Sequence, residues 1–564
     1  MSNVKCIEYR NGIWIKESEH NKDTHIVSEL ITYEDGSKCK NLRLIENYER
    51  PFYITKEFYR DHKQKKEYED RDKVEKYMTT QSQLGNNVAR RLGRQGYMRN
   101  QLRDSQDSPY LYNATISSTV HLRKEYRDKY PPKYTPNHVM MLDIENNVIT
   151  GDISVVTSSD EDNMYVYINH QQLAPEIPKS YILERVPLLY IDMMDGINKE
   201  LSTPNTIVNM DGSSFKLHIM VVDTEKQLII ASTDKLHEVR PDIVAAWSKH
   251  DWTHYEKRCI VNGLDTADVF SDPEVPPELR MFKINVGNPQ RVTSSGKTMN
   301  LSPHEVWSTY NSTSYFKLMD AMVMYNYIRA GEKNVAGGYN LNNILKTNIG
   351  RTKLELEYEE TKYMTGADKH LWLSKNKPLE YIVYNMWDSR GMVELDRKTQ
   401  DLKLSCMLLV GDSDYNTFNS GPKKLQDSYA FFIEKYGKVI GAHYVNRPGY
   451  EVLSTEDWIV TLNAYKKDLS KLAMRPFKDA PLLQTNVVKC VYDRDLTSSY
   501  PSQTLVNNLS LATLRKELLS VEGYDKSYVQ RNNIQLLEGN SGAPFWATKF
   551  LNVPTMTELE KLVE

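Results

Sequence analysis

Hydrophobic and polar residues alternate along about the first 60 positions of the chain, as they do in strands with one buried face. The segments GIWIKE and HIVSELITYEDGSKCKNLRLIE follow this pattern, and Asp35 and Gly36 stand between two runs as a hairpin turn. Over residues 59–78 the mixed charges of HKQKKEYEDRDKVEKY instead predict an exposed helix carrying ion pairs. The stretch YPPKYTP ends this region, because consecutive prolines cannot enter a helix or donate to a strand ladder. We therefore expect a mixed α+β N-terminal domain, rich in strands, over residues 1–135.

A different order of elements follows the prolines. The runs HVMMLDIE, DISVVTS and NMYVYIN predict three strands, and a helical stretch near residues 224–237 leads to the strand DIVAAW and another helix from about Thr253. Three strands, helix, strand and helix is the order of a ribonuclease-H-like α/β domain, which we place over residues 136–403. Helical periodicity returns in SYFKLMDAMVMYNYIRAG and in LEYIVYNMWDSRGMVELDRKTQDL. Residues 404–484 are mixed, and residues 485–564 open with the strand VVKCVYDRDL and continue mostly helical.

Composition narrows the class of protein. At 564 residues the chain is too long for one hydrophobic core, so we expect about three domains and an α/β and α+β multidomain fold. The 40% hydrophobic and 26% charged residues are typical of a globular protein. The N-terminus has no apolar signal-peptide region, and eighteen apolar residues never run together, so neither secretion nor a membrane span is expected. Its cysteines are widely spaced without a CxxC pair, which predicts reduced thiols and a cytosolic protein.

Positive charge is concentrated in one segment. RRLGRQGYMRNQLR, residues 90–103, holds five arginines, two glycines and no acid. Such a stretch favours contact with phosphates, and Arg90, Arg91 and Arg94 are our candidates for binding nucleic acid. A solvated surface with incidental charge is the alternative.

Paired acids at the end of a strand suggest chemistry. In MMLDIEN, Asp143 and Glu145 are two residues apart, so both side chains leave the same face of the predicted sheet. Phosphodiester cleavage by two metal ions needs several carboxylates holding ions about 4 Å apart, and oxygen ligands favour magnesium or manganese. Asp143 and Glu145 alone are also compatible with a structural role.

Three later residues extend this set. Asp251 opens a helix after an apolar strand, where it can cap the helix or serve as a metal ligand. Tyr384 precedes Asp388 by one helical turn, so both side chains face the same side, and a tyrosine there can orient an attacking water. A half-buried core aromatic is the alternative for Tyr384. Asp320 in KLMDAM is a competitor for the role of Asp388, but Phe316 stands where a tyrosine would be wanted, so we favour Asp388.

The ordered set DxE, D and YxxxD resembles the proofreading 3′→5′ exonuclease of family B DNA polymerases, with the closest similarity to the T-even bacteriophage type. FKLMDAMVMYNYIR and GYNLNNILKTNIGRTKLE resemble flanking stretches of that family. The resemblance implies that four acids bind two Mg²⁺ or Mn²⁺ ions while Tyr384 positions water. The four are Asp143, Glu145, Asp251 and Asp388. The match is loose around Asp251, where WSKHD replaces the family's asparagine and phenylalanine.

VYDRDLTSSYPSQ, residues 491–503, resembles motif A of the same polymerases. The resemblance implies that Asp495 binds the catalytic metals of synthesis, that Ser498 and Ser499 contact the incoming dNTP, and that Tyr500 stacks on its sugar. Ser499 departs from the family's leucine, which puts nucleotide selectivity in question. The implied order is an N-terminal domain in two segments (1–135 and about 404–484), an exonuclease domain (136–403) and the start of a polymerase palm (485–564).

The family's remaining motifs, YxDTD and KxxxNSxYG, do not follow motif A. VGDSDYN and EKYGKVIG imitate them but precede motif A, so we interpret them as unrelated loops. We therefore expect an N-terminal polymerase chain that acts on primer-template and single-stranded DNA with a C-terminal partner chain carrying fingers, remaining palm and thumb. A sliding clamp bound through that partner is a further candidate. The expected location is the cytoplasm of an infected bacterial host. A free-standing exonuclease and a non-catalytic DNA-binding assembly subunit are the alternatives.

Overall fold

The computed structural model describes residues 3–442, with short gaps at 63–65, 95–100, 107, 131–133, 204, 293–297 and 330–336. The predicted palm segment and motif A lie outside the described residues, and with them Asp495, Ser498, Ser499 and Tyr500. The described part mixes helices with strands, and its largest sheet has eight strands of mixed direction. The expected combination of α and β structure is therefore confirmed at this coarse level.

The N-terminal region is built mainly from two small sheets. Its elements are β1 (Val4–Ile15), β2 (Thr24–Tyr33), β3 (Lys38–Glu46), β4 (Glu49–Thr55), β5 (Tyr68–Asp70), β6 (Val74–Thr80), α1 (Leu84–Arg91), α2 (Gln101–Ser105), β7 (Leu111–Tyr112) and α3 (Ser118–Lys129). Strands β1, β2 and β3 form an antiparallel meander, and β4 pairs with β6 and β7. The predicted hairpin turn lies between β2 and β3, where Gly36 has a φ of 86° that favours glycine. The alternating pattern therefore correctly predicted strands over about the first 60 residues.

The helix predicted over residues 59–78 is wrong. In its described residues the chain forms β5, a 3₁₀ turn at Arg71–Lys73 and β6. β6 runs antiparallel to β4 over its whole length, and Tyr77 stacks on Phe52 with ring centroids 5.4 Å apart. Helical ion pairs stabilise by only about 0.2–0.5 kcal/mol each, so strand pairing and burial outweigh them.

The central region supplies the eight-stranded sheet and most of the helices. Its elements are β8 (Val139–Asn146), β9 (Ile153–Ser159), β10 (Asn163–Asn169), α4 (His170–Leu173), α5 (Lys179–Met193), β11 (Asn198–Ser202), β12 (Thr206–Asn209), β13 (Ser214–Val222), α6 (Glu225–Val239), β14 (Ile243–Ala246), α7 (Lys249–Val261), α8 (Thr266–Phe270), β15 (Phe282–Asn285), β16 (Gln290–Val292), β17 (Thr298–Asn300), β18 (Thr309–Ser312), β19 (Lys317–Asp320), α9 (Ala321–Ile328), α10 (Leu341–Ile349), α11 (Gly366–Asn376) and α12 (Pro378–Thr399). The sheet order is β11-β12-β13-β10-β9-β8-β14-β19. Strand β8 is antiparallel to β9 and parallel to β14, which is parallel to β19.

The predicted strands and helices are present as β8, β9, β10, α6, β14 and α7, but the predicted order is incomplete, because two helices (α4 and α5) and three strands (β11, β12 and β13) lie between β10 and α6. Thr224 caps α6 through a capping box, and α7 begins at Lys249, earlier than expected. The helix predicted from SYFKLMDAM is partly wrong, because Lys317–Asp320 joins the sheet as β19 before α9 starts. An apolar run of four residues does not by itself distinguish a buried strand from the start of a helix.

Helices cover both faces of the sheet. One face packs against α5 and α12, and the other against α6 and α7. Because side chains alternate along β8, Met140, Leu142 and Ile144 enter the core beneath α6 and α7. Asp143 and Glu145 therefore lie on the opposite face, beneath α12. That helix begins with Pro378 at its first position and ends at Gln400, whose φ is 57°.

The N-terminal region and the sheet are held together by a buried ion pair. Arg10 of β1 donates from Nε and Nη2 to the two carboxylate oxygens of Asp242, over 2.8 and 2.9 Å. Arg10 also donates to the backbone oxygen of Thr135 and to the side chain of Asn137. A fully hydrogen-bonded guanidinium can be buried in this way, so the two regions share one compact unit.

The remaining described elements follow α12. They are a π-helical turn (Asp401–Ser405), α13 (Cys406–Val410), α14 (Gly421–Glu434) and β20 (Lys438–Ile440). VGDSDYN forms the end of α13 and the turns after it, which agrees with its interpretation as a loop. The four cysteines of the described residues form no disulfide bond with one another. No helix in this described part has the length and hydropathy needed to cross a bilayer.

Candidate functional site

Helix α12 brings a third carboxylate to the pair on β8. Asp143, Glu145 and Asp388 each offer an oxygen, and these oxygens lie within 4.8 Å of one another. Strand alternation places the first two on one face, and the packing of α12 across β8 and β9 places Asp388 over them. We call these three residues the carboxylate cluster. It joins positions more than 240 residues apart in the chain.

Burial makes the carboxylate cluster electrostatically unfavourable without a cation. Asp143 is 8% exposed and Asp388 1% exposed. Burial raises the pKa of Asp143 well above its usual range, and the charges of Asp388 and Glu145 raise it further. Burial likewise raises the pKa of Asp388 to about 6, although Lys353 opposes this effect. The Oδ1 atom of Asp388 is buried and has no hydrogen-bond partner among the described residues. An unpartnered buried carboxylate oxygen beside two further acids fits a metal ion bound through oxygen ligands.

Asp251 lies at the start of α7 and is not among the three described acids whose oxygens meet in the carboxylate cluster. Its Oδ2 atom accepts from the backbone nitrogen of Ser248 over 3.4 Å and completes a capping box, so its capping role is present. Burial raises the pKa of Asp251 to about 6, and the charge of Glu145 adds to this rise. Asp251 in turn raises the pKa of Asp143. The residue therefore caps its helix and also contributes charge to the carboxylate cluster.

Tyr384 lies at the carboxylate cluster, one turn before Asp388. Burial raises its pKa, and the charge of Asp388 raises it further. Its hydroxyl lies 3.4 Å from Nζ of Lys353, which pairs closely with Oδ2 of Asp388. Burial would lower the pKa of Lys353, but Asp388, Tyr384 and Asp143 raise it overall. The ammonium of Lys353 therefore stays charged and neutralises part of the cluster.

Sequence reasoning missed Lys353 and three other residues at the cluster. Tyr381 donates to Oε2 of Glu145, and Asn385 donates from Nδ2 to Oδ2 of Asp143, each over 2.7 Å. Nδ1 of His370 lies 3.2 Å from the Tyr381 hydroxyl and 3.6 Å from Oε2 of Glu145. Helical spacing offered a signal for Tyr381 and Asn385, which share a face of α12 with Asp388. Lys353 lies in irregular chain before α11, where no periodic pattern exists.

Asp320 does not join the carboxylate cluster. Its Oδ1 accepts from the backbone nitrogen of Val323 over 3.0 Å and caps α9. Burial raises its pKa to about 7. Its backbone hydrogen bonds account for this buried carboxyl, so the geometry favours Asp388 as the acid that meets Asp143 and Glu145.

The three candidate arginines lie in the N-terminal region. Arg90 and Arg91 belong to α1 and are exposed, and Arg94 follows the helix and is half-buried. The guanidinium of Arg91 sits over the ring of Tyr77, 4.4 Å from its centroid. Accessible cationic groups of this kind are compatible with phosphate contact, and nucleic-acid binding stays a prediction.

Comparison of the chain with models of known protein families found no match, and a search of curated proteins found none either. The class of protein is therefore defined by fold and site alone. It is a mixed α and β protein with a buried carboxylate cluster, suited to a metal ion, between a sheet strand and a long helix.

Proposed function

We propose that the chain is the N-terminal portion of a family B DNA polymerase and that its central region is a metal-dependent 3′→5′ exonuclease. The carboxylate cluster carries the proposal, because the acids of the ordered motifs DxE and YxxxD meet although they are distant in sequence. Tyr384 lies one helical turn before Asp388, and the charge of Glu145 acts on Asp251, which supports the roles that the resemblance implies.

The sheet supports a ribonuclease-H-like fold for the exonuclease. Strands β8, β9 and β10 are consecutive antiparallel neighbours, and β14 and β19 extend the sheet in parallel beside β8. Helices cover both faces, and Asp143 and Glu145 stand on β8, an inner strand of the sheet. A sheet covered by helices on both faces is the layered arrangement that the proposed fold requires.

The proposed metals are Mg²⁺ or Mn²⁺, two per site, held by Asp143, Glu145, Asp251 and Asp388. Such ions activate water and stabilise the leaving oxygen of a phosphodiester. Tyr384 is placed to hydrogen-bond the attacking water, because its hydroxyl lies beside Asp388 and Lys353. A raised pKa keeps this hydroxyl protonated at neutral pH, so it acts as a donor that orients water.

Cleavage of labelled single-stranded DNA by the purified chain tests the exonuclease. We expect 3′→5′ degradation with Mn²⁺ or Mg²⁺, and Asp143→Ala should reduce the rate by at least about 100-fold, because it removes a proposed metal ligand. Asp192→Ala is the matched control, since Asp192 is an exposed acid on α5 with 63% side-chain exposure. Equal rates for Asp143→Ala and the wild type would refute the proposed site.

The polymerase half of the proposal rests on motif A and requires a partner chain. Asp495, Ser498, Ser499 and Tyr500 would supply half of the synthesis site, with dNTPs as substrates. We propose action in the host cytoplasm on primer-template DNA, with a sliding clamp reached through the partner. Copurification followed by mass spectrometry tests this arrangement. A bound chain carrying YxDTD that restores DNA synthesis would support it, whereas nuclease activity with no such partner would favour the free-standing exonuclease.

A further inference from the structure

Both acids of β8 receive a hydrogen bond from α12. Asn385 donates to Oδ2 of Asp143, and Tyr381 donates to Oε2 of Glu145. Each bond engages one oxygen of its carboxylate. In the described contacts, Oδ1 of Asp143 and Oε1 of Glu145 accept no hydrogen bond, so one oxygen of each acid remains available.

The amide of Asn385 is itself oriented by a residue of the sheet. Thr157 of β9 lies opposite Asp143 in the strand register, and its hydroxyl donates to Oδ1 of Asn385 over 2.5 Å. Because a hydroxyl hydrogen is directed at the amide oxygen, the amide NH₂ group must face Asp143. Thr157, Asn385 and Asp143 thus form a chain of hydrogen bonds with a single direction.

These polar groups stand where the surroundings are apolar. Thr157 and Asn385 are 0% exposed, and the neighbouring residues Ile382, Val383 and Met386 of α12 enter the hydrophobic core. Burying an amide and a hydroxyl is costly unless both are hydrogen-bonded, and an apolar side chain would fill the same space. Simple packing therefore does not explain why an amide and a hydroxyl are placed beside Asp143.

We propose that Tyr381, Asn385 and Thr157 are positioning residues that hold Asp143 and Glu145 with one oxygen each turned to a divalent metal ion. The inference rests on the metal site of the proposed function. It adds the residues that hydrogen-bond the carboxylate oxygens turned away from the metal ion. Hydrogen bonds that orient ligand carboxylates typically change metal affinity by roughly 10- to 100-fold. Tyr384, three residues after Tyr381, has a different task, because its hydroxyl lies beside Lys353 rather than on a carboxylate of β8.

Titration of the full chain with Mn²⁺, followed by the electron paramagnetic resonance of the free ion, tests the proposal. Tyr381→Phe and Thr157→Val keep the shape of the side chain and remove only the donor, so each should weaken Mn²⁺ binding by roughly 10-fold or more. Thr157→Ser retains the hydroxyl and should restore wild-type affinity. Tyr384→Phe should slow DNA cleavage but leave Mn²⁺ affinity unchanged.

Tyr315→Phe is the matched control, because Tyr315 is 0% exposed and its hydroxyl donates to the backbone oxygen of Glu29 in the N-terminal region, outside the carboxylate cluster. Its Mn²⁺ affinity should equal that of the wild type. Wild-type affinity in both Tyr381→Phe and Thr157→Val would overturn the positioning role while the metal site stands. A wild-type chain that binds no Mn²⁺, or Asp143→Ala binding as well as wild type, would instead overturn the metal site itself and the positioning role with it.

Discussion

Replacing Asp388 by asparagine should stabilise the metal-free protein at alkaline pH. The folded protein raises the pKa of Asp388 from 3.8 to about 6, mainly by burial. The carboxyl therefore contributes stability below about pH 4 that is lost as the pH rises through 6. The shift of about 2 units corresponds to about 3 kcal/mol at pH 8 and about half of that at pH 5. The attraction of Lys353 is already contained in this pKa, so the value includes the ion pair.

Asparagine has no charge to bury, so Asp388→Asn should unfold with a free energy up to about 3 kcal/mol higher than wild type at pH 8 in EDTA. Mn²⁺ should cancel most of this advantage. A ligand at 100 times its Kd stabilises the wild type by about 2.7 kcal/mol, and the variant lacks a proposed ligand for the ion. At that concentration the two proteins should be almost equally stable.

Urea unfolding followed by tryptophan fluorescence measures both effects, since Trp387 is buried beside Asp388. Asp396→Asn is the matched control on the same helix. Burial raises the pKa of Asp396 to about 6 as well, but this residue lies outside the carboxylate cluster, so the variant should keep the full response to Mn²⁺. If Asp388→Asn is no more stable than wild type at pH 8 in EDTA, the electrostatic account of the site is wrong.

Two further predictions concern cationic side chains. Lys353→Met should shift the pH dependence of Mn²⁺ affinity to higher pH. Lys353 lowers the pKa of Asp388, so its loss lets protons compete with the metal ion at higher pH. Identical pH profiles for the variant and the wild type would contradict this role. Replacing Arg90, Arg91 and Arg94 together by alanine should make the affinity for single-stranded DNA less dependent on salt. The slope of log affinity against log salt concentration should fall by up to about 2, because each phosphate contact contributes roughly 0.7. An unchanged slope would reject phosphate contact by these arginines.

Local pattern was sufficient for many elements of the fold. Alternation predicted β8, β9 and β10, and helical periodicity predicted α6 and α12. The two-residue period of a strand placed Asp143 and Glu145 on the same face of the sheet. The helical period placed Tyr384 and Asp388 on the same side of one helix. These inferences depend only on residues that are neighbours in sequence, which is why they could be made from the chain alone.

Pattern failed where distant partners decided the outcome. The charges of residues 59–78 suit a solvated helix, but pairing with β4 makes Val74–Thr80 a strand. The sequence pattern predicts that Lys317–Asp320 is part of a helix, but this segment pairs with β14 at the edge of the sheet and forms a strand. In both segments the local preference for a helix is worth only a few tenths of a kcal/mol per interaction. Strand pairing and burial contribute more to the stability of the fold.

Patterns along the chain place Asp143 and Glu145 on a strand, Asp251 at the start of a helix, and Tyr384 one turn before Asp388 on a later helix. The resemblance already favours Asp388 over Asp320, and the structure brings Asp388 to the acids of β8. Only the tertiary structure shows that Lys353 and Thr157 belong to the same site. Lys353 comes from irregular chain, and Thr157 is one of many hydroxyls on buried strands. Their positions depend on how α12 packs across the sheet, and such packing is set by contacts between segments far apart in sequence.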